Sequence, residues 1–150
     1  LTASDPTGSA NPKAIPGAEM LYTVQVTNQG AGAVDTDTIV IIDPIPANTK
    51  LYVGDPATPP PGGPVIFLDG PDYGDQASNL TYRYVRPDDG EDDVSFSNNG
   101  GSDYLYSPTA DGDGCDSAVT HIRVNPKGSM NGAGGGNNPS FQVRFRVRVE

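Results

Sequence analysis

The chain has 150 residues (15.6 kDa), room for one ordinary domain or two very small ones, and it carries 19 glycines and 15 prolines. No stretch free of both is longer than the twelve residues 18–29, whose apolar residues do not recur at helical spacing, which excludes a helical fold. Nineteen acidic against nine basic side chains give a net charge of −10, a field that opposes phosphate backbones and argues against nucleic acid as a partner. So few large aliphatic residues in so acidic a chain lie near the border of intrinsic disorder, and periodicity has to decide.

Leu1 stands where an initiator Met would, and the chain reads as a processed or excised one with no secretion signal and no apolar run of transmembrane length. Residues 1–15 precede the first clear strand and read as an extended segment able to complete the sheet of another copy, with Leu1, Ala3 and Ile15 as its apolar contacts. From there Met20, Tyr22, Val24 and Val26 alternate with polar neighbours, the period of a strand with one buried side. Residues 39–42 form a continuous β-branched run, suited to a strand covered on both faces. Shorter strands are predicted over 51–53, 65–68, 81–86, 94–97, 104–106 and 118–124, with a hairpin around Asn99 and Gly100. Residues 56–64 read as a stiff, exposed polyproline loop and 128–139 as a flexible excursion. In 139–150, Phe141, Val143, Phe145, Val147 and Val149 share one face, and Gln142, Arg144, Arg146 and Arg148 the other. About eight to nine strands joined by Asn, Asp and Gly turns predict an all-β, immunoglobulin-like antiparallel β-sandwich over 16–150, as one domain.

Within 11–53, Gly17, Tyr22, Thr23, Val26, Asn28 and Gly30, followed by Asp43, Ile45 and Pro46, match in order a glycine, a strand and a second strand ending in Asp-x-hydrophobic-Pro. This third of the chain resembles the bacterial and archaeal surface-repeat family known as domain of unknown function eleven. The resemblance implies an immunoglobulin-type sandwich in a cell-envelope or secreted protein, serving as a spacer or adhesive module, and it supplies no catalytic residues. Residues 119–128 and 141–149 are similar, more loosely, to the endings of large envelope proteins that carry such repeats.

Few side chains point to chemistry. Asp111, Asp113 and Asp116 crowd a glycine turn and make the best candidate for a calcium site, the only cofactor the sequence suggests, although the bidentate Glu of a full calcium loop is missing. The run 88–93 is denser in charge and less patterned, and a solvated acidic turn explains both. The pairs Tyr82 with Tyr84 and Tyr104 with Tyr106 could stack on a glycan or pack across strands. His121 has no nucleophile or orienting acid at a recognisable spacing, Cys115 has no cysteine to pair with, and Lys13, Lys50 and Lys127 lack a cross-linking motif. The row Arg144, Arg146, Arg148 is either the wet face of an edge strand or a contact stripe for carboxylates. These features lead to a non-enzymatic extracellular structural module, without membrane insertion, that joins copies of itself into a surface polymer or filament by strand addition. The alternative is a monomeric adhesion module that binds glycan or calcium within a larger envelope protein.

Overall fold

In the structure, a computed structural model, residues 2–8, 10–54, 63–136 and 138–150 are described. Alternation at period two yields ten strands among them: β1 (Thr2–Ser4), β2 (Glu19–Thr27), β3 (Ile41–Pro44), β4 (Thr49–Tyr52), β5 (Val65–Asp69), β6 (Gln76–Ala77), β7 (Val94–Ser97), β8 (Cys115–Asp116), β9 (His121–Val124) and β10 (Pro139–Val149). They form a seven-stranded sheet, ordered β1-β2-β10-β4-β8 with β5 and β6 also on β10, and a three-stranded sheet, β3-β9-β7. Every pairing is antiparallel except that of β6 with β10. The fold is therefore an all-β, two-sheet sandwich.

The last strand is the spine. β10 pairs with β2 from Ser140↔Thr27 to Arg148↔Glu19, and on its other flank with β5 and then β4. Its inward residues Phe141, Val143, Phe145 and Val147 are fully buried against Phe96, Ile122 and Val124 of the small sheet, with Leu51 and Val65 beside them. Each such burial contributes about 1.5–3 kcal/mol, which makes this strip the main source of stability. Tyr22 lies opposite Phe145 and stacks on it at 5.3 Å between ring centroids, and Phe67 stacks on Phe141 at 5.4 Å.

Several predicted elements take another form. The arginine row does not lie on an edge strand, because β10 has neighbours on both sides. The run 39–42 is not covered on both faces: the strand begins at Ile41, lies at the edge of the small sheet, and leaves Val40 and Ile42 about half exposed. Pro44 explains the edge position, since it has no N–H to give a further neighbour. The predicted strand over 81–86 makes a single bridge, Thr81↔Lys127. Its backbone donors are taken instead by side chains: Asp93 accepts from the Arg83 N–H at 2.7 Å, and Asp92 from those of Val85 and Arg86 at 2.8 and 3.0 Å. Residues 104–106 likewise contribute only the bridge Phe96↔Tyr106, so the hairpin about Asn99 is wide and held by side chains, with Asn99 donating to Asp103 at 2.7 Å.

The polyproline segment falls at 55–62 outside the described residues, but Pro64 at its end is buried and not exposed. A short 3-10 turn, Gly70–Tyr73, begins at a position where a Cβ would lie 1.9 Å from the Gln76 carbonyl oxygen, so only glycine lets β5 fold back on β6 there.

Candidate functional site

Three places gather the side chains that could act: the acidic turn before β8, the outer face of the seven-stranded sheet, and the outer face of the three-stranded sheet.

At the acidic turn, Asp111 bends back on its own loop. Its Oδ1 accepts from the N–H groups of Asp113 and Cys115 at 2.8 and 2.9 Å, while its Oδ2 accepts from Lys50 Nζ at 2.6 Å. The same ammonium lies 2.9 Å from Asp113 Oδ2, and Arg148 Nη1 is 3.5 Å from Asp113 Oδ1. Lys50 holds the Asp111 carboxyl down at about 2, and the two carboxylates in turn raise the Lys50 ammonium above its ordinary range. Asp116 belongs to a different network: buried, it accepts from the Tyr106 hydroxyl and from the N–H groups of Thr109 and Ala118, each at 2.8 Å. The calcium candidates Asp111, Asp113 and Asp116 thus do not converge, and the chain's own ammonium occupies the space between the first two. Among the described residues, no group of three or more His, Cys, Asp or Glu side chains is placed to hold a metal. Cys115 is buried under this turn, and burial pushes its thiol up to about 11, far from a reactive thiolate.

The outer face of the seven-stranded sheet carries the arginine row. Opposite Arg148 lies Lys50 on β4, opposite Arg146 lies Leu21 on β2, and opposite Arg144 and Gln142 lie Ile66 and Leu68 on β5. Arg144 donates through Nε and Nη2 to the neutral Gln142 Oε1 at 3.0 and 2.5 Å. Arg146 Nη1 is 3.8 Å from Glu19, and its Nε is buried with no hydrogen-bond partner among the described residues. Lys50 therefore has its carboxylates in close contact, whereas Arg144 and Arg146 have a neutral amide and one long ion pair. At the margin of this sheet, β1 pairs with β2 through Thr2↔Met20 and Ser4↔Glu19, with a register shift between them. Ala3 is exposed, Ile15 is half-buried in the return turn, and Leu1 lies outside the described residues.

The outer face of the three-stranded sheet brings together residues that are far apart in the sequence and gave no sign there of a shared site. A groove of about 480 Å³ is lined by Val40, Ile42, Ser95, Tyr104, Arg123 and Lys127, with Asp92 and Asp93 on its wall. Arg123 lies 4.6 Å below the Tyr104 ring centroid and donates to Ser95 Oγ at 3.0 Å, so an aromatic ring and a guanidinium close one side. Val40, Ile42 and Leu105 are 51 %, 55 % and 89 % exposed. The available signal was the β-branched run directly before Asp43, Pro44 and Pro46, since prolines mark an edge whose aliphatic side chains need not be covered.

The remaining candidates are accounted for locally. Tyr82 stacks on Phe67 at 5.8 Å inside the sandwich and Tyr106 is tied to Asp116, so the tyrosine pairs form no shared platform for a glycan. Lys127 donates to Asn125 and lies 3.9 Å from Asp93, whose carboxyl burial raises. His121 Nδ1 is 3.3 Å from the Thr120 hydroxyl. No helix among the described residues is long and apolar enough to cross a membrane. Neither a family model, nor a curated protein, nor a solved structure matches the chain.

Proposed function

We propose that the chain is a non-enzymatic, extracellular structural module of the immunoglobulin-like, surface-repeat type, a subunit of a polymer built by strand addition. The observation that carries this reading is β1. It is three residues long, lies at a sheet edge, pairs at two positions with a broken register, and is joined to β2 by the fourteen residues 5–18. Such a strand makes the same bonds with β2 of a second copy as with its own, so exchange trades equal contacts and needs only local opening. Where each copy gives its strand to one neighbour and receives that of another, the exchange is heterologous, and repeating it extends a filament.

Deleting residues 2–15 is expected to abolish filaments seen by electron microscopy while leaving the β10-centred sandwich folded. Normal filaments from the shortened chain would reject the reading.

A second reading, a monomeric adhesion or ligand-binding module of a larger envelope protein, is favoured by the groove beside Tyr104 and Arg123. A glycan array would support it with a response lost in Tyr104→Ala. Calcium calorimetry is expected to be silent, because Lys50 would first have to leave Asp111 and Asp113.

A further inference from the structure

Two sheet faces remain without partners among the described residues, and their chemistries are opposite. The outer face of the seven-stranded sheet gathers Lys50, Arg144, Arg146 and Arg148, four of the nine cationic side chains in a chain of net charge −10, beside the half-buried aliphatic groups of Ile66 and Leu68. Among the described residues this cationic face is incompletely neutralised, since Arg144 meets an amide and Arg146 only a long ion pair, 3.8 Å from Glu19. The outer face of the three-stranded sheet shows Val40, Ile42 and Leu105, and its two grooves are lined by Asp88, Asp89, Asp92 and Asp93 together with Arg123 and Lys127. Both faces therefore offer aliphatic side chains, the first with cations in excess over Glu19, Asp111 and Asp113, the second with carboxylates in excess over Arg123 and Lys127.

We infer that the outer face of the seven-stranded sheet of one copy docks on the outer face of the three-stranded sheet of a second copy. This contact rests on the structural-module reading but does not use the exchanged strand. Arginine forks pair with carboxylates in directed, bidentate fashion, and the aliphatic groups beside them lose water at the same time. The two faces differ, so the contact is head-to-tail and a docked pair still presents one free face of each kind, one on each copy; the array grows and does not close at a dimer.

The test is sedimentation velocity of the full chain and two face variants, with circular dichroism as the check on folding. Arg144→Glu with Arg146→Glu disables one face, and Val40→Asp with Ile42→Asp the other; all four side chains are at least partly exposed, and Arg144→Gln with Arg146→Gln gives a milder version of the first. The unmodified chain is expected to associate, more weakly as salt rises, and each variant alone to associate about tenfold or more weakly, the scale of one unpaired interfacial charge. Mixing the two variants is expected to restore a species of two copies only, because each retains the face that the other lost. A monomeric unmodified chain, a mixture that stays monomeric, or variants that associate like the parent would each overturn the docking. Deleting residues 2–15 leaves both faces in place. If that deletion alone removes association and the face variants do not, docking fails and strand addition stands; if the face variants alone remove it, strand addition fails and docking stands.

Discussion

β10 and β3 are both rich in aliphatic residues, and they do opposite jobs. β10 strictly alternates, lies between β2 on one flank and β5 and β4 on the other, and buries Phe141, Val143, Phe145 and Val147 completely. β3 comes from an unbroken β-branched run, is held on one flank only, and leaves Val40 and Ile42 half in water. Hydrophobicity of a segment thus says little about its burial here; the number of flanking strands and the side facing the second sheet decide it.

The sharpest way to break this contrast is to truncate the spine. Phe145→Ala removes a ring stacked on Tyr22 from a site without exposure, and is expected to lower unfolding free energy by about 3–5 kcal/mol in urea titrations. A loss below about 1 kcal/mol would mean that β10 is not central.

Asp116→Ala should come next, at about 2–3 kcal/mol, since it strands the Tyr106 hydroxyl and two backbone donors in a partly buried place. Thermal unfolding of this variant beside Asp113→Ala, whose carboxylate is on the exposed side of the turn, separates a structural carboxylate from a surface one.

The pH dependence of stability sharpens the role of Lys50. Asp111 stands at about 2 in the folded chain against an ordinary 3.8, so its contribution is complete above pH 3.8 and disappears as the pH falls toward 2. Asp43 and Asp93, raised by burial, act with the opposite sign, and the informative quantity is the difference between two proteins. Lys50→Met is expected to be less stable than the parent at neutral pH, with the gap closing across that acid window. A gap constant with pH would show that the Lys50 contact with Asp111 does not contribute.

Ile42→Thr is expected to change stability least, within about 0.5 kcal/mol, because the side chain is already half solvated.

The sequence made the all-β class, the sandwich and the inward face of β10 legible, because 20–26 and 141–149 alternate without interruption and a period of two admits one interpretation. Elements that depend on distant side chains were not legible. No local pattern in 81–86 says that Asp92 and Asp93 will take its backbone donors, and β1, β6 and β8 are too short to show a period. Asp111, Asp113 and Asp116 look like one cluster along the chain, and only the arrival of Lys50 from β4 and Tyr106 from the wide hairpin divides them. The arginine row was visible as a row, but its place at the centre of a sheet depends on pairings with residues about eighty to one hundred and thirty positions away.

Amide hydrogen exchange read by mass spectrometry, on the same chain at low and at associating concentration, tests the central claim most directly: that a spine-centred sandwich joins copies through surfaces it leaves open. Slow exchange is expected across 140–148 at both concentrations, with protection gained on association in 2–4, 19–27, 40–44, 49–52, 65–69 and 103–106. Fast exchange in 140–148 at low concentration, or association that leaves those outer segments unprotected, would contradict it.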